Sequence, residues 1–120
     1  MTTILPIGTI VCIAANVFIV AADYAKAGFV LKNSVEVNLP PKVLPYLATL
    51  KLAGAAGLIV GLLALPWIGV AAGIGLVLFY IGAIYAHIRA RVFYNIAFPG
   101  IYLALAVISV IYMADLAVRS

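Results

Sequence analysis

The sequence predicts an all-α integral membrane protein, folded as an antiparallel four-helix bundle. Of its 120 residues, 68% are hydrophobic and only 8% are charged, whereas about a quarter of the residues in a soluble domain are charged. The apolar residues also fall into four runs, each long enough as a helix to cross a hydrocarbon core of about 30 Å. Little sequence lies outside these runs, so we expect a single membrane domain over residues 1–120.

The predicted spans cover residues 4–25, 46–65, 67–88 and 99–118. The third span is the most clearly delimited, because its apolar run begins at Trp67 and stops at His87, Arg89 and Arg91. Those charged residues place its end at a water interface. The second and third connections have roughly 3 and 9 residues, and connections this short join antiparallel neighbours.

Glycines in the second and third spans predict close helix packing. Gly57 and Gly61 form one GxxxG motif, and Gly69 and Gly73 form another. Such motifs let two helix backbones approach each other. We expect these glycines to pack inside one bundle rather than to form a dedicated dimer face.

The first connection, residues 27–45, differs from an ordinary loop because it is both apolar and rich in proline. Pro40, Pro41 and Pro45 forbid a continuous helix, while its apolar residues make a freely solvated loop unfavourable. We expect a short helix or half-turn lying in the membrane interface, or a re-entrant piece tucked into the bundle.

The basic residues predict the orientation in the membrane. Six lie on one side of the bundle and Arg119 lies on the other; the six are Lys26, Lys32, Lys42, Lys51, Arg89 and Arg91. The positive-inside rule therefore predicts a multi-pass protein of the cell membrane, with connections 26–46 and 89–98 in the cytoplasm and both termini outside. The net charge is +4. Because the basic residues lie at the ends of apolar spans, where they set the topology and contact anionic lipid headgroups, we expect no nucleic-acid partner.

Polar residues from separate spans converge at the predicted cytoplasmic end. The ligand-binding candidates are Asn16, Asp23, Lys51, Tyr80, His87 and Tyr102. An ionisable group inside a membrane is costly and marks a functional site by default. We expect a polar-mouthed cavity bounded by four of the six (Asp23, Lys51, Tyr80 and His87), with tyrosine hydroxyls offered to a ligand carbonyl.

Each candidate also has a structural interpretation. Asp23 and Lys51 could pair across two helices, which lets both charges persist in a low-dielectric layer. His87 could relay protons, since unperturbed histidine titrates near neutrality, or it could be an interfacial histidine with satisfied hydrogen bonds. Asn16, near the middle of its span, could bond a neighbouring helix. The single cysteine, Cys12, and single histidine predict no disulfide and no metal site.

Several motifs together resemble the DoxX-like membrane proteins. They are Ala25-Lys26, Leu39-Pro40-Pro41, Leu44-Pro45, the stretch 50–58, Gly82-Ala83 and the stretch 86–91, in that order along nearly the whole chain. At Ala22-Asp23 the chain departs from the Ser-Gly that many members carry. The resemblance implies a four-helix bundle and, for function, the small membrane subunit of a thiosulfate:quinone oxidoreductase or of a redox complex with a sulfurtransferase and superoxide dismutase.

Four functional interpretations stay open at this point. The first is a redox accessory subunit that binds a quinone loosely, or docks a soluble redox partner or another membrane subunit. The second is a structural or assembly factor without a ligand. The third is a stand-alone membrane enzyme acting on a small lipophilic substrate, with no catalytic residue assigned. The fourth is a small dimeric drug transporter, which is disfavoured because Asn16 occupies the depth at which such transporters carry a carboxylate. We expect contact with the lipid bilayer under every interpretation, and each interpretation is compatible with a homo-oligomer.

Overall fold

Four long helices form the structure, a computed structural model that describes residues 3–119. The helices in chain order are Ile4–Tyr24 (α1), Gly28–Glu36 (α2), Leu44–Leu63 (α3), Pro66–Arg89 (α4) and Ala97–Arg119 (α5), with a 3-10 turn at Pro41–Val43. All except α2 are long and apolar enough to cross a membrane. The predicted all-α fold of four spans is therefore confirmed.

The long helices pack in a closed ring. Helix α1 packs on α3 and α5, and α4 packs on the same two helices from the opposite side. Neighbours around the ring run antiparallel, so the diagonal helices α1 and α4 point in the same direction. They end where α3 and α5 begin, at the end of the bundle that carries α2. We call this end of the molecule the α2 end.

Small residues allow a close helix contact between α3 and α4. A Cβ atom added at Gly61 would lie 2.6 Å from the Cα of Gly69 and 2.9 Å from the sulfur of Met113 on α5. Nothing larger than hydrogen fits at that place without moving backbone. The two GxxxG motifs thus serve packing within one bundle, as the sequence predicts.

The outer surface and the interior of the bundle are both apolar. Large side chains such as Phe18 (64% exposed), Leu63 (80%) and Leu78 (64%) point outward, which is unfavourable in water and expected against lipid. The interior is filled by a smaller cluster: Cys12, Leu58, Leu76, Tyr80, Ala106 and Met113. The outward-facing residues therefore suit contact with a bilayer.

The chain enters and leaves α2 through sharp turns. Lys26 after α1 has φ 54° and Asn38 after α2 has φ 65°. After α1, the backbone N–H of Ala27 donates to the backbone carbonyl of Ala22 (3.0 Å). The backbone N–H of Lys26 donates to the backbone carbonyl of Asp23 (3.1 Å). These two bonds form a Schellman motif, which ends a helix and reverses the chain direction. They allow α2 to leave α1 and reach residues near the junction of α4 and α5.

We expect Gly61→Ala to lower stability by about 1–3 kcal/mol, because the added methyl group meets backbone and the helices must separate. Reversible unfolding in mixed detergent micelles would measure this loss. Gly75→Ala on α4 is the matched control, since a Cβ there meets no atom within 4 Å. Equal stability losses for the two variants would contradict the close α3–α4 contact.

Candidate functional site

A cavity of about 410 Å³ lies between α2 and the four long helices at the α2 end. Its polar lining comprises Asp23, Lys32, Asn33, Ser34, Glu36, Lys51, Tyr80, His87, Tyr94, Asn95 and Tyr102. Apolar wall residues include Val30, Leu47, Phe79 and Phe98. Asp23, Lys51, Tyr80 and His87 are buried, whereas Phe29, Tyr94 and Phe98 are exposed at the rim. The cavity therefore has a buried interior and an aromatic opening.

A hydrogen bond between the two diagonal helices closes the inner end of the cavity. The hydroxyl of Tyr80 on α4 donates to Oδ1 of Asn16 on α1 over 2.5 Å. The other end of the Asn16 side chain, Nδ2, donates to the carbonyl of Cys12 over 2.8 Å. Both residues are buried, so Asn16 has the helix-bonding role that its mid-span position indicated.

The same register places Asp23 opposite His87. Asp23 lies seven residues after Asn16, and His87 lies seven residues after Tyr80. Seven residues are two helical turns, or about 10.5 Å, and α1 and α4 run in the same direction. Asp23 and His87 therefore lie at one depth, one layer above the Asn16–Tyr80 bond. Neither side chain crosses the bundle at that layer, and the space between them is part of the cavity.

Asp23 and Lys51 form a buried ion pair between α1 and α3. Their side chains are only 4% and 9% exposed, and the ammonium also lies 5.5 Å from the ring centre of Phe79. This is the pairing that the sequence suggested, and it lets both charges exist in a low-dielectric place. A lysine ammonium has three N–H groups, and among residues 3–119 its one polar partner is Asp23. The other two N–H groups are available to a ligand.

The tyrosine hydroxyls have partners within the protein, which differs from the expectation that they would face a ligand carbonyl. Tyr80 donates to Asn16, and Tyr102 donates to the carbonyl of Ala15 over 3.0 Å. The rings lie 5.3 Å apart and line the cavity. Their role is to form an aromatic wall, because each hydroxyl proton is already engaged with α1.

Both ring nitrogens of His87 also have partners. Nδ1 lies 2.9 Å from the carbonyl oxygen of Ala83, and Nε2 lies 3.2 Å from Oδ1 of Asn33 on α2. The residue is 4% exposed. His87 thus ties α2 to α4, and no ring nitrogen is left over for a ligand in this arrangement.

Side chains rather than close backbone packing hold α2 over the cavity. Asn33 accepts from Nδ2 of Asn95 over 2.9 Å, in addition to its contact with His87. Glu36 accepts from the hydroxyl of Tyr94 over 2.5 Å. The backbone of α2 approaches the long helices far less closely than the long helices approach one another. The cavity lies in the space between α2 and the long helices.

Sequence reasoning missed Asn33, Glu36 and Tyr94 as site residues. A signal was present, because Asn33 and Glu36 are three residues apart and share a face of α2. Interpreting it required knowing that residues 28–36 form a helix and which way that helix faces. Those two facts depend on the long helices beneath it.

The bond to Glu36 changes the acidity of Tyr94, which lies in the connection between α4 and α5. The carboxylate accepts the phenol proton and its negative charge opposes a phenolate, so the pKa of Tyr94 is raised above its ordinary value of 10.0. The neutral tyrosine is the form that bonds α2. This contact is therefore present at neutral pH and is lost when Tyr94 ionises in alkaline solution.

The chain matches a family model described as the DoxX-like family over residues 7–109. The match covers most of the chain. The protein belongs to the DoxX-like family. Together with the four spans, this makes it a multi-pass membrane protein in contact with the lipid bilayer. No curated protein and no solved structure matches the chain.

The site in this DoxX-like protein offers hydrogen bonds rather than a set of metal ligands. Within residues 3–119, no three His, Cys, Asp or Glu side chains come together as a metal centre would require. The chemical groups that face the cavity are two ammonium groups, amides, carboxylates, hydroxyls and aromatic rings. That these residues bind a ligand stays a prediction.

We expect single and double variants of the ion pair to differ sharply. Lys51→Met leaves the Asp23 carboxylate buried without a partner, and removing one member of such a pair costs about 3–5 kcal/mol. Asp23→Leu combined with Lys51→Met should recover most of that loss, because no unpaired charge remains. Unfolding free energies of the two singles and the double would measure the coupling. Asp115→Asn is the control: its exposed pair with Arg119 should contribute less than about 1 kcal/mol.

We expect Glu36→Gln to lower the pKa of Tyr94 towards 10, since the carboxylate that raises it is removed. Ultraviolet absorbance of tyrosinate, recorded as the difference from Tyr94→Phe, would isolate this residue from the other tyrosines. Glu36→Gln should also increase amide hydrogen exchange in α2. An unchanged Tyr94 titration would mean that Glu36 and Tyr94 are not bonded.

Proposed function

We propose that this protein binds a quinone in the cavity beneath α2 and acts as the membrane accessory subunit of a redox complex. The observation that carries the proposal is the buried Lys51–Asp23 pair in the wall of an otherwise largely apolar cavity. Small-molecule sites commonly have volumes of 300–1,000 Å³, apolar walls and a few fixed polar groups. A cavity of about 410 Å³ with this lining suits a single substituted ring.

The charge balance of the ion pair favours an uncharged acceptor. Asp23 already neutralises Lys51, so this pair would not offset the charge of an anionic ligand bonded to Lys51. A carbonyl oxygen can accept the spare N–H groups of Lys51 without changing the net charge. The rings of Phe79, Tyr80 and Tyr102 supply flat apolar surface for the rest of the ring.

The groups that face the cavity among residues 3–119 support the role of accessory subunit. A quinone exchanges electrons with another carrier, and the groups facing the cavity include no electron carrier other than such a ligand. The partner would therefore supply its own cofactor. The basic residues around the α2 end favour its placement in the cytoplasm of a cell-membrane protein, where a soluble partner or a second membrane subunit would dock.

The proposal is tested by binding of a decyl-substituted benzoquinone to the purified protein in lipid nanodiscs. Native mass spectrometry of the gently extracted protein should show a quinone-mass adduct, and titration should give saturable binding. We expect the combined Asp23→Leu and Lys51→Met variant to weaken binding about tenfold or more, because the donors to the carbonyl are gone.

Lys42→Met is the matched control, since it removes an exposed lysine at the same end of the bundle without touching the cavity. It should bind as the parent protein does. A protein that carries only phospholipid and gives no saturable quinone binding contradicts the proposal. Equal binding by the parent and the double variant contradicts the assignment of Lys51.

A further inference from the structure

We infer that Asn33 of α2 presents the second polar contact of the cavity, and that His87 determines whether its amide N–H or its carbonyl oxygen faces the ligand. The inference rests on the proposed binding of a quinone. It adds that the site distinguishes the oxidised ligand, which ends in carbonyls, from the reduced ligand, which ends in hydroxyls. His87 is then a positioning residue that acts through Asn33.

The orientation of the Asn33 amide determines which protonation state of His87 can satisfy its contacts. The carbonyl of Ala83 only accepts, so Nδ1 must donate to it. Oδ1 of Asn33 likewise only accepts, so Nε2 must donate as well. Asn95 donates to the same Oδ1 through Nδ2. This orientation of the Asn33 amide therefore matches a His87 that carries a proton on each ring nitrogen, an imidazolium.

The free end of Asn33 is the part that a ligand can meet. Its Oδ1 is shared by His87 and Asn95, whereas its Nδ2 has no hydrogen-bond partner in the described part of the chain. Asn33 lines the cavity and is only partly buried. With His87 charged, Asn33 therefore offers an N–H donor, which either a carbonyl or a hydroxyl oxygen can accept.

Loss of one proton from His87 creates a preference for the hydroxyl form, because Asn33 then faces the ligand with an acceptor. Neutral His87 keeps the proton on Nδ1 for Ala83, and Nε2 becomes an acceptor. Two acceptors then face each other unless Asn33 turns its amide by 180° and donates to Nε2 through Nδ2. The turned Asn33 presents Oδ1 as its free end, which accepts from a ligand hydroxyl.

Asn95 can turn together with Asn33 without losing a bond. In the present arrangement Oδ1 of Asn95 is buried without a hydrogen-bond partner among residues 3–119. After both amides turn, this oxygen accepts the second N–H of Asn33. Nδ2 of Asn33 and Oδ1 of Asn95 have no other partner in the described part of the chain. The three side chains therefore have two arrangements with the same number of hydrogen bonds among them, which differ by one proton on His87.

Lys51 serves both forms of the ligand, so discrimination falls to Asn33. A carbonyl oxygen and a hydroxyl oxygen can each accept an N–H from the ammonium. The Asn33 end accepts in one arrangement and donates in the other.

Other titratable groups also face the cavity. They are Asp23 from α1, Lys32 and Glu36 from α2, Lys51 from α3, Tyr80 from α4, Tyr94 from the connection between α4 and α5, and Tyr102 from α5.

The test measures dissociation constants of a decyl-benzoquinone and its quinol, each at pH 5.5 and pH 8, in nanodiscs under conditions that keep each redox form intact. We expect the ratio of quinone affinity to quinol affinity to fall about five- to tenfold from pH 5.5 to pH 8. This is the effect of gaining or losing one hydrogen bond between uncharged groups. Variants then assign this dependence to its residues.

His87→Gln should abolish the pH dependence, because glutamine can bond Asn33 but does not titrate. Asn33→Leu should abolish both the dependence and the discrimination, while Asn33→Asp, whose side chain has only acceptor oxygens, should favour quinol at pH 8 and lose preference for quinone at pH 5.5. Val35→Ala is the matched control on the exposed face of α2 and should keep the parent profile.

The outcomes separate the two proposals. Saturable quinone binding with a preference that does not change with pH, or that persists unchanged in Asn33→Leu, overturns this inference and leaves the proposed function standing. A pH dependence that survives in His87→Gln also overturns it, because another group must then be responsible. Failure of the parent protein to bind either form overturns both.

Discussion

The ion pair between Asp23 and Lys51 is the interaction on which the α2 end depends. A buried carboxylate and a buried ammonium are each costly inside a membrane, and each is tolerated because the other is present. Their contact fixes α1 against α3 at the layer where the bundle would otherwise close. Since Asp23 turns sideways to Lys51, it does not cross towards α4, and room for the cavity remains. The same pair therefore joins α1 to α3 and leaves the opening between the helices.

One layer deeper, the bundle closes because a longer side chain bridges it. Tyr80 reaches across from α4 to Asn16 on α1, and its ring packs beside those of Phe79 and Tyr102. The two layers differ in the side chains that they contain. Tyr80 is long enough to reach Asn16 across the bundle, whereas Asp23 pairs with Lys51 on the neighbouring helix. The cavity thus lies within the bundle itself, between the Tyr80 layer and α2.

Helix α2 differs in kind from the long helices. They pack through small residues and close backbone approach, whereas α2 is held by Asn33 and Glu36 through hydrogen bonds to the α4–α5 region. Elements with few apolar contacts and exposed hydrogen bonds open at low free-energy cost. Its turns at Lys26 and Asn38 set the two ends of the segment. Polar side chains therefore hold α2 over the cavity.

The sequence by itself determined the number of spans, their antiparallel order, the small-residue contact near Gly61, and the gathering of polar groups at one end. These features depend on composition and on position along the chain, which hydropathy and connection length report directly. The tertiary structure alone decided which polar atoms remain available. In the structure, the hydroxyls of Tyr80 and Tyr102 donate to α1, and both ring nitrogens of His87 have hydrogen-bond partners. Asn33 lines the cavity. Hydrogen-bond partners depend on the rotation of each helix about its axis and on the position of α2. Neither can be read from the order of residues, because many rotations bury the same apolar faces and only one satisfies these particular polar groups.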